Sequence, residues 1–546
     1  MPKLVKLPIL DLRRGARGAS MRVSMFGVTT RQSLGMPLVA LICVAAVANL
    51  NLSVANVALP SIGDAFDASQ TALNMIAIGF SLGLATTVLY LGALGDRYGR
   101  KGIMLLGIGL SIPACLLAAY APNEWVLAVA RFSGGVAAGM AFPTTLALIT
   151  AIWSGDIRTR AIALWSAVGG GITALGPLVS GALLEYFWWG SVFLVTLPLA
   201  VIAFLLAVKF VPGHLDESTE PVDNLSGVLS IVMVAALVVG INFAPLPGAL
   251  PFALALLVVT VIAGWVFVTR QKRIPNPLYD LSYAQRRIFW VAALGGIIVF
   301  GSLMASMFIG QQYLQNVLGL SSLAAGAIPL PLTFGMIAVA GLSAKLVDTR
   351  GSRFTLLAGF GCFLVAFLMM LVLWTETTGV AAVLVTYLVA GVGVGLAGTP
   401  ASHCLTSAVP VKRAGMASAT ADLQRDLGGA IMQAIFGALL TAGYAYTFTS
   451  LASQASPQVS DDVMAELTKS YSSAAATAQQ YPQYSQEIIT AARESFLAGA
   501  NWAYAAGVLF VLSGAAVVFF LFPKKEKEEA MIAAYQKQDR ERVVPA

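Results

Sequence analysis

Three charged side chains stand where charge is least expected. The apolar run beginning near residue 414 contains Asp422-Leu-Gln424-Arg425-Asp426-Leu-Gly428-Gly429. On a helix, positions 422 and 426 are i and i+4, so both carboxylates share one face, and Arg425 is i+3 from Asp422. One guanidinium can neutralise one acid, which leaves a net charge of about −1. A desolvated carboxylate with an incomplete partner is a candidate proton carrier or a counter-ion for a cation. A closed structural ion network is the competing reading, and both stay open at this level. A second buried-charge candidate is Arg131, which opens Arg131-Phe-Ser-Gly134-Gly135-Val-Ala-Ala-Gly139-Met-Ala-Phe-Pro143. A bare guanidinium in hydrocarbon costs on the order of 3 kcal/mol, so such residues are functional candidates by default. The alternative is an arginine that snorkels to the interface or is paired for structure.

Other chemistry has little to stand on. Cys43, Cys115, Cys362 and Cys404 all fall in apolar runs without paired spacing, and they are expected to be small apolar packers. His214 and His403 are too few and too scattered for a metal site. No nucleophile with a neighbouring base and no ligand cluster is visible, so neither an enzyme nor a bound cofactor or metal is expected. Neither tail is long enough for the output domain of a membrane sensor.

The elements that must position these charges are membrane helices. The chain has 546 residues, 58% apolar and only 11% charged, with a mean hydropathy of +0.81. Soluble domains are about 45–50% apolar and about 25% charged. Spans need about 20 apolar residues, and backbone groups in lipid must be satisfied within the segment, which makes them helices. The expected fold is all-α, with fourteen spans at 37–59, 73–94, 103–121, 125–152, 161–184, 188–211, 226–244, 248–269, 288–310, 322–347, 354–374, 380–408, 414–446 and 497–522. Counting from Arg413 at about 1.5 Å per residue puts Asp422 roughly 13 Å deep and Asp426 roughly 20 Å deep, near the middle of a core about 30 Å thick.

The formal charge of +7 does not indicate nucleic acid. Apart from Arg131 and Arg425 deep in spans, and Lys469 and Arg493 on the opposite side, the 33 Lys and Arg occupy the tails, alternate loops or the span ends beside those loops. That is the positive-inside pattern, with both termini cytoplasmic. The tryptophans fall close to span ends, as interfacial anchors do. Residues 1–36 form a basic tail, 37–211 a six-helix bundle, 212–287 a linker with two inserted helices, 288–522 a second six-helix bundle, and 523–546 a charged tail. The inserted helices carry almost no polar side chains and suit a lipid-facing pair. Within the second bundle, 449–495 is a long outer loop expected to fold as a helical hairpin from Val463, Met464, Leu467 and Tyr471 to Ile488, Ile489 and Ala492. The last residues read as a charged amphipathic helix near the leaflet or, more plainly, as a solvated tail.

Between the second and third spans lies Gly92-Ala-Leu-Gly-Asp96-Arg97-Tyr-Gly99-Arg100-Lys101. Its carboxylate could cap a neighbouring helix and pair with an arginine. At this spacing the loop resembles the signature of the major facilitator superfamily. A weaker copy, Gly341-Leu-Ser-Ala-Lys345-Leu-Val-Asp348-Thr-Arg350-Gly351-Ser-Arg353, follows the tenth span, as parallel internal repeats would. Leu50-Asn51-Leu-Ser53-Val-Ala-Asn56-Val-Ala58-Leu59-Pro60 resembles the first-helix motif of the fourteen-helix drug:proton antiporter branch, which usually has an acid where Asn51 stands. Gly171-Ile-Thr-Ala-Leu-Gly176-Pro177-Leu-Val-Ser180-Gly181 resembles the antiporter motif of the exporters, with Ser180 replacing a glycine. Residues 311–329 resemble the segment joining the first two spans of the second bundle. The surroundings of Asp422 resemble the branch's Arg-x-x-Gly-Gly helix.

The resemblance implies a proton-coupled exporter working by alternating access. Its substrates would be amphipathic, cationic compounds, and its setting a bacterial-type cytoplasmic membrane. Proton coupling would fall to Asp422, Arg425, Asp426 and Arg131, and gating to the loops at Asp96 and Asp348. Asn51 and Asn56 could bind substrate or bridge helices, while Met304, Met307 and Phe308 could form a soft apolar cavity wall or core. Small substrate, protons and lipid are the expected partners of a monomer. Export of an endogenous lipid or envelope precursor is the alternative.

Overall fold

The computed structural model describes residues 35–153, 155–213, 222–275, 277–410, 414–453 and 459–543. The basic tail up to residue 34, His214 and Arg413 lie outside them. Among the described residues the regular structure is entirely helical, and the fourteen expected spans each have a helix.

The first bundle consists of α1 (Gly35–Phe66), α2 (Gln70–Tyr98), α3 (Arg100–Ala119), α4 (Glu124–Ile152), α5 (Gly155–Tyr186), the short α6 (Ser191–Leu194) and α7 (Thr196–Phe210). Starts are set by short polar side chains. Ser69 Oγ accepts from the Ala72 N–H at 3.2 Å, and Asn123 Oδ1 accepts from the Val126 N–H at 2.9 Å. The inserted pair is α8 (Asn224–Phe243) and α9 (Leu250–Gln271). The turn α10 (Leu281–Ala284) leads to the second bundle: α11 (Arg287–Gln312), α12 (Ser322–Ala327), α13 (Leu330–Arg350), α14 (Ser352–Leu373), α15 (Val380–Ser407) and α16 (Ala414–Ala452). It ends with α17 (Asp461–Lys469), α18 (Tyr471–Gln480), α19 (Ser485–Leu521) and the tail helix α20 (Lys525–Val543).

Several boundaries differ from the sequence reading. The ninth span runs on past Gln312 into a π-helical turn, Tyr313–Val317, held by stacking of Tyr313 on Trp374 at 4.7 Å. The tenth span is broken at Ile328-Pro329 into α12 and α13, because proline removes a ladder hydrogen bond. The Asp96 motif is scarcely a loop: Gly92 to Tyr98 are the last turns of α2, and Gly99 alone separates α2 from α3. Gly99 has φ +106° and Gly351, between α13 and α14, has φ +87°. Both are left-handed positions that glycine occupies without penalty, so the internal repeat shows as one backbone device used twice.

The inserted pair is not equivalent in its two halves. α9 exposes Leu254, Val258, Val261, Ile262 and Trp265, as a lipid-facing helix should. α8 does not simply face lipid. Val234 and Val238 pack with Ile78 and Leu82 of α2 and with Ala430 and Ala434 of α16, closing one seam between the bundles.

The outer hairpin also differs from expectation. Its second arm, Ile488 to Ala492, belongs to α19, a single 37-residue helix, so the hairpin is α17–α18. Leu467, Ala474 and Ala478 are buried, and the Tyr444 hydroxyl donates to the carbonyls of Leu467 and Ser470, both at 3.1 Å. Lys469 reaches α1 through Asp67 at 2.6 Å and also lies 3.4 Å from Glu466. Partial burial draws the Lys469 ammonium down, but these two acids outweigh it and hold the group above its usual value. The hairpin thus touches both bundles.

The C-terminal segment is not a solvated tail. α20 docks on the end of the second bundle through Arg286, which pairs with Asp539 at 2.5 Å and donates to the Ala408 carbonyl, between the rings of Tyr283 and Tyr535. Glu528 accepts from the Ser352 N–H at 3.1 Å, capping α14.

Contacts between bundles gather on the face opposite the described C-terminus. Gln70 Nε2 donates to Asn74 Oδ1 at 3.0 Å and to Gln312 Oε1 at 3.1 Å, and Asn74 Nδ2 donates to Thr441 Oγ1 at 3.3 Å. Gln315 Nε2 donates to the Val57 carbonyl at 2.9 Å. On the other seam, a Cβ on Gly181 would lie 2.3 Å from the Ser322 carbonyl oxygen, and one on Gly326 would lie 2.3 Å from the Pro177 carbonyl oxygen.

Two outcomes follow from these contacts. Gly181→Val should prop α5 off α12 and open this face. Spin labels at Pro122 and Glu376, on the two bundles, should show a longer mean distance than in the parent protein. Arg286→Ala should strand Asp539 without its partner and cost about 3–5 kcal/mol, read as a lower unfolding temperature in detergent, with Asp539→Asn in the same chain restoring part of the loss.

Candidate functional site

A cavity of about 360 Å³ lies between the bundles, behind the closed face. α1 lends Asn49, Ser53 and Asn56, α5 lends Trp165, Gly169, Thr173 and Pro177, and α11 lends Met304, Met307 and Gln311. α13 contributes Leu332, Thr333 and Met336, and α16 contributes Arg425. Most of the wall is apolar, with a few polar groups spread around it, which is the usual make-up of a small-molecule site.

α16 places its charges in three different ways. Arg425 is the one of the three that lines the cavity, with its guanidinium 5.1 Å from the ring centroid of Phe142 on α4. Its Nε donates to Asp426 Oδ1 at 3.2 Å, the neighbour in sequence, instead of to Asp422 at i−3. Asp426 itself is buried behind the wall at 2% exposure, and its Oδ2 has no hydrogen-bond partner. Asp422, one turn away on the same side, is partly buried. Gln424, between them, anchors α16 to α11 by donating to the carbonyls of Ala292 and Ala293 at 2.8 and 3.0 Å. The trio therefore presents a cation to the cavity and keeps a half-satisfied carboxylate beneath it.

Arg131 lies elsewhere. It is 2% exposed inside the first bundle and does not snorkel. Its Nη1 donates to the Asn51 carbonyl at 2.7 Å, and the rings of Phe80 and Phe193 stand 5.0 and 5.6 Å from the guanidinium carbon. Asn51 is in this pocket and not in the central cavity, because its side chain turns toward Cys115 and Thr196. Asn56 does line the cavity.

Met304 and Met307 form part of the wall, whereas Phe308 is fully buried in the core of the second bundle. One helical position of difference, about 100°, suffices to turn a side chain from wall to core. In α5, Gly176 lets α1 approach, since a Cβ there would lie 1.9 Å from Ser53 Oγ, while Gly181 meets α12 as described. Gly171 lies within the same helix, and Pro177 is both inside it and on the cavity wall.

The residues expected to gate sit at the opposite end. Asp96 pairs with Arg100 at 2.8 Å across the Gly99 break, and α3 has no side-chain cap. Lys101 Nζ donates to the Val208 carbonyl at 2.9 Å, tying the motif to α7. Gly92 and Arg97 lie in the final turns of α2. In the second copy, the Asp348 carbonyl accepts from Lys525 Nζ at 2.6 Å, and Arg350 lies over the Phe354 ring at 4.8 Å. Among the described residues, the two copies share a backbone but not an ion pair.

Trp165 was not among the expected site residues. Taken for an interfacial anchor, it lines the cavity instead, donates to Thr145 Oγ1 at 3.1 Å, and leans on Phe142 at 5.4 Å. A spacing signal existed: Trp165, Gly169, Thr173 and Pro177 are each four apart on one helical stripe.

Comparison with known proteins agrees with this architecture. The multidrug efflux pump LfrA of Mycolicibacterium smegmatis is 32% identical over 475 residues, covering 85% of this chain and 92% of the pump. The methyl viologen resistance protein SmvA of Salmonella typhimurium is 30% identical over 461 residues, covering 82% and 90%. A crystal structure of a bacterial homologue of the human lysosomal transporter Spinster, in an inward-facing and occupied conformation, superposes with a TM-score of 0.60. It shares 16% identity and covers 89% of this chain and 96% of that one, a likeness of fold. Residues 41–433 match the Major Facilitator Superfamily as a family. The chain belongs to that superfamily and is a multi-pass membrane transporter, not an enzyme.

Proposed function

We propose that this transporter exports amphipathic, cationic drugs or toxic compounds in exchange for protons, by alternating access between the bundles α1–α7 and α11–α19. The observation that carries the reading is the Arg425–Asp426 pair, its guanidinium on the cavity wall and its carboxylate buried behind it, with Asp422 one turn away. A net charge of about −1 in a low-dielectric site attracts a cation or a proton, and one displaces the other. The names of the relatives support efflux, and methyl viologen, named for one of them, is itself a cation.

The positive-inside pattern supports cytoplasmic termini in a bacterial-type cytoplasmic membrane. The closed face then looks outward, and the structure corresponds to the state that loads substrate from inside. The apolar wall of Phe142, Trp165, Met304 and Met307 takes the hydrocarbon part of a substrate, while Asn49, Asn56, Thr173 and Gln311 offer dipoles. Arg425 swings from Asp426 when the proton arrives, so the pair acts as the coupling element. The Asp96 and Asp348 motifs gate the inner face, and a single chain is the working unit.

In inverted or reconstituted vesicles, Asp422→Asn and Asp426→Asn should each abolish proton-driven efflux of a quaternary-ammonium dye, while cavity binding of the dye persists at reduced affinity. Binding of a cation to the parent protein should release protons into weakly buffered medium. Undiminished efflux in both variants would remove the carboxylates from the mechanism.

A further inference from the structure

Arg131 poses a problem that the central cavity does not solve. A guanidinium in the membrane interior needs a counter-charge, and an uncompensated buried charge is strongly destabilising. Among the described residues none of its hydrogen bonds or ion pairs involves a carboxylate. Its one hydrogen bond goes to a backbone carbonyl, and its Nε and Nη2 have no partner. The flanking rings of Phe80 and Phe193 offset part of the cost. They satisfy neither free N–H.

Arg131 borders space. Two small cavities, each about 10 Å³, adjoin one another through shared walls at Asn51, Phe80, Ser111 and Gly134. Arg131 and Cys115 line the first of them. A volume of that order holds one particle of about water size. The chemistry of the walls favours negative charge. The walls bring two unpartnered guanidinium nitrogens and no acid, while the Ser111 hydroxyl and the Cys115 thiol already donate to the Ile108 carbonyl at 2.7 Å and to Asn51 Oδ1. The lone acceptor turned toward the pocket, Asn51 Oδ1, already receives Cys115 Sγ at 3.8 Å and Thr196 Oγ1 at 3.4 Å.

We infer that the first bundle holds a small monovalent anion, of the chloride class, against Arg131. Asn51 stands on the wall where a carboxylate would otherwise supply the charge, so an exchangeable ion does what a side chain does not. The ion bridges α4 to α1 and α3, the helices that carry Arg131, Asn51, Ser111 and Cys115. This site is separate from the α16 charges, and its test is independent of proton coupling.

Thermal unfolding of the purified protein in detergent, with chloride exchanged for gluconate at constant pH and ionic strength, reads the site. The unfolding temperature should rise by several degrees with chloride along a saturating curve, and bromide should act similarly. Asn51→Asp supplies a fixed carboxylate on the same wall. It should unfold in gluconate at or above the temperature of the parent and lose the chloride response. Arg131→Met should also lose the response, but it could fail to fold, so Asn51→Asp is the deciding variant. Anomalous diffraction from crystals grown in bromide should give a peak beside the Arg131 guanidinium. Equal unfolding of the parent in chloride and gluconate, a chloride response that survives in Asn51→Asp, or no bromide peak would each overturn the assignment and leave a water molecule as the occupant.

Discussion

A guanidinium within a membrane cannot be left to solvent, and this transporter handles two of them in different surroundings. Arg425 has an acid beside it in sequence, an aromatic face at Phe142 and the cavity in front. Arg131 has a backbone carbonyl and two rings. The first arrangement leaves the guanidinium open to the cavity. The second is enclosed and has little freedom to move.

Holding these charges at the right depth depends on how closely helices approach. A Cβ on Gly83 would fall 2.2 Å from the Phe132 carbonyl oxygen and one on Gly135 would fall 2.1 Å from that of Phe80, so α2 and α4 meet backbone to backbone. In lipid this is how helices gain contact, since apolar side chains alone gain little from leaving hydrocarbon for one another. The same device closes the seam between α5 and α12. Small residues thus serve two purposes here. Within a bundle they make a permanent body, and between bundles they make a joint.

How much of this was legible in the sequence depended on the length scale of the signal. The spans, the repeat and the family motifs were readable because twenty apolar residues or a fixed glycine spacing leave little choice. The extension of α11 beyond Gln312 was not, since it accompanies the stacking of Tyr313 on Trp374, a contact between residues 61 apart in sequence. The orientation of a single side chain on a helix was the least readable. Phe308 and Met307 are neighbours in sequence and point to core and cavity. Asn51 and Asn56 belong to one motif and face different pockets. The pairing of Arg425 with Asp426, in preference to Asp422, was equally hidden, because neighbouring residues on a helix do not normally face each other.

The closed face explains why such a machine can open at all. Its cross-bundle bonds are made by uncharged amides, carbonyls and hydroxyls: Gln70, Asn74, Gln312, Gln315 and Thr441. Each contributes about 1 kcal/mol net, because the groups find water when they part. Two carboxylate–guanidinium bridges buried at the same place would demand far more to separate. The outer hairpin adds one exposed ion pair, Lys469 to Asp67, which high-dielectric surroundings keep weak. A joint built from a few exchangeable, neutral contacts costs only a few kcal/mol to part. The bundles stay rigid while the joint between them stays reversible.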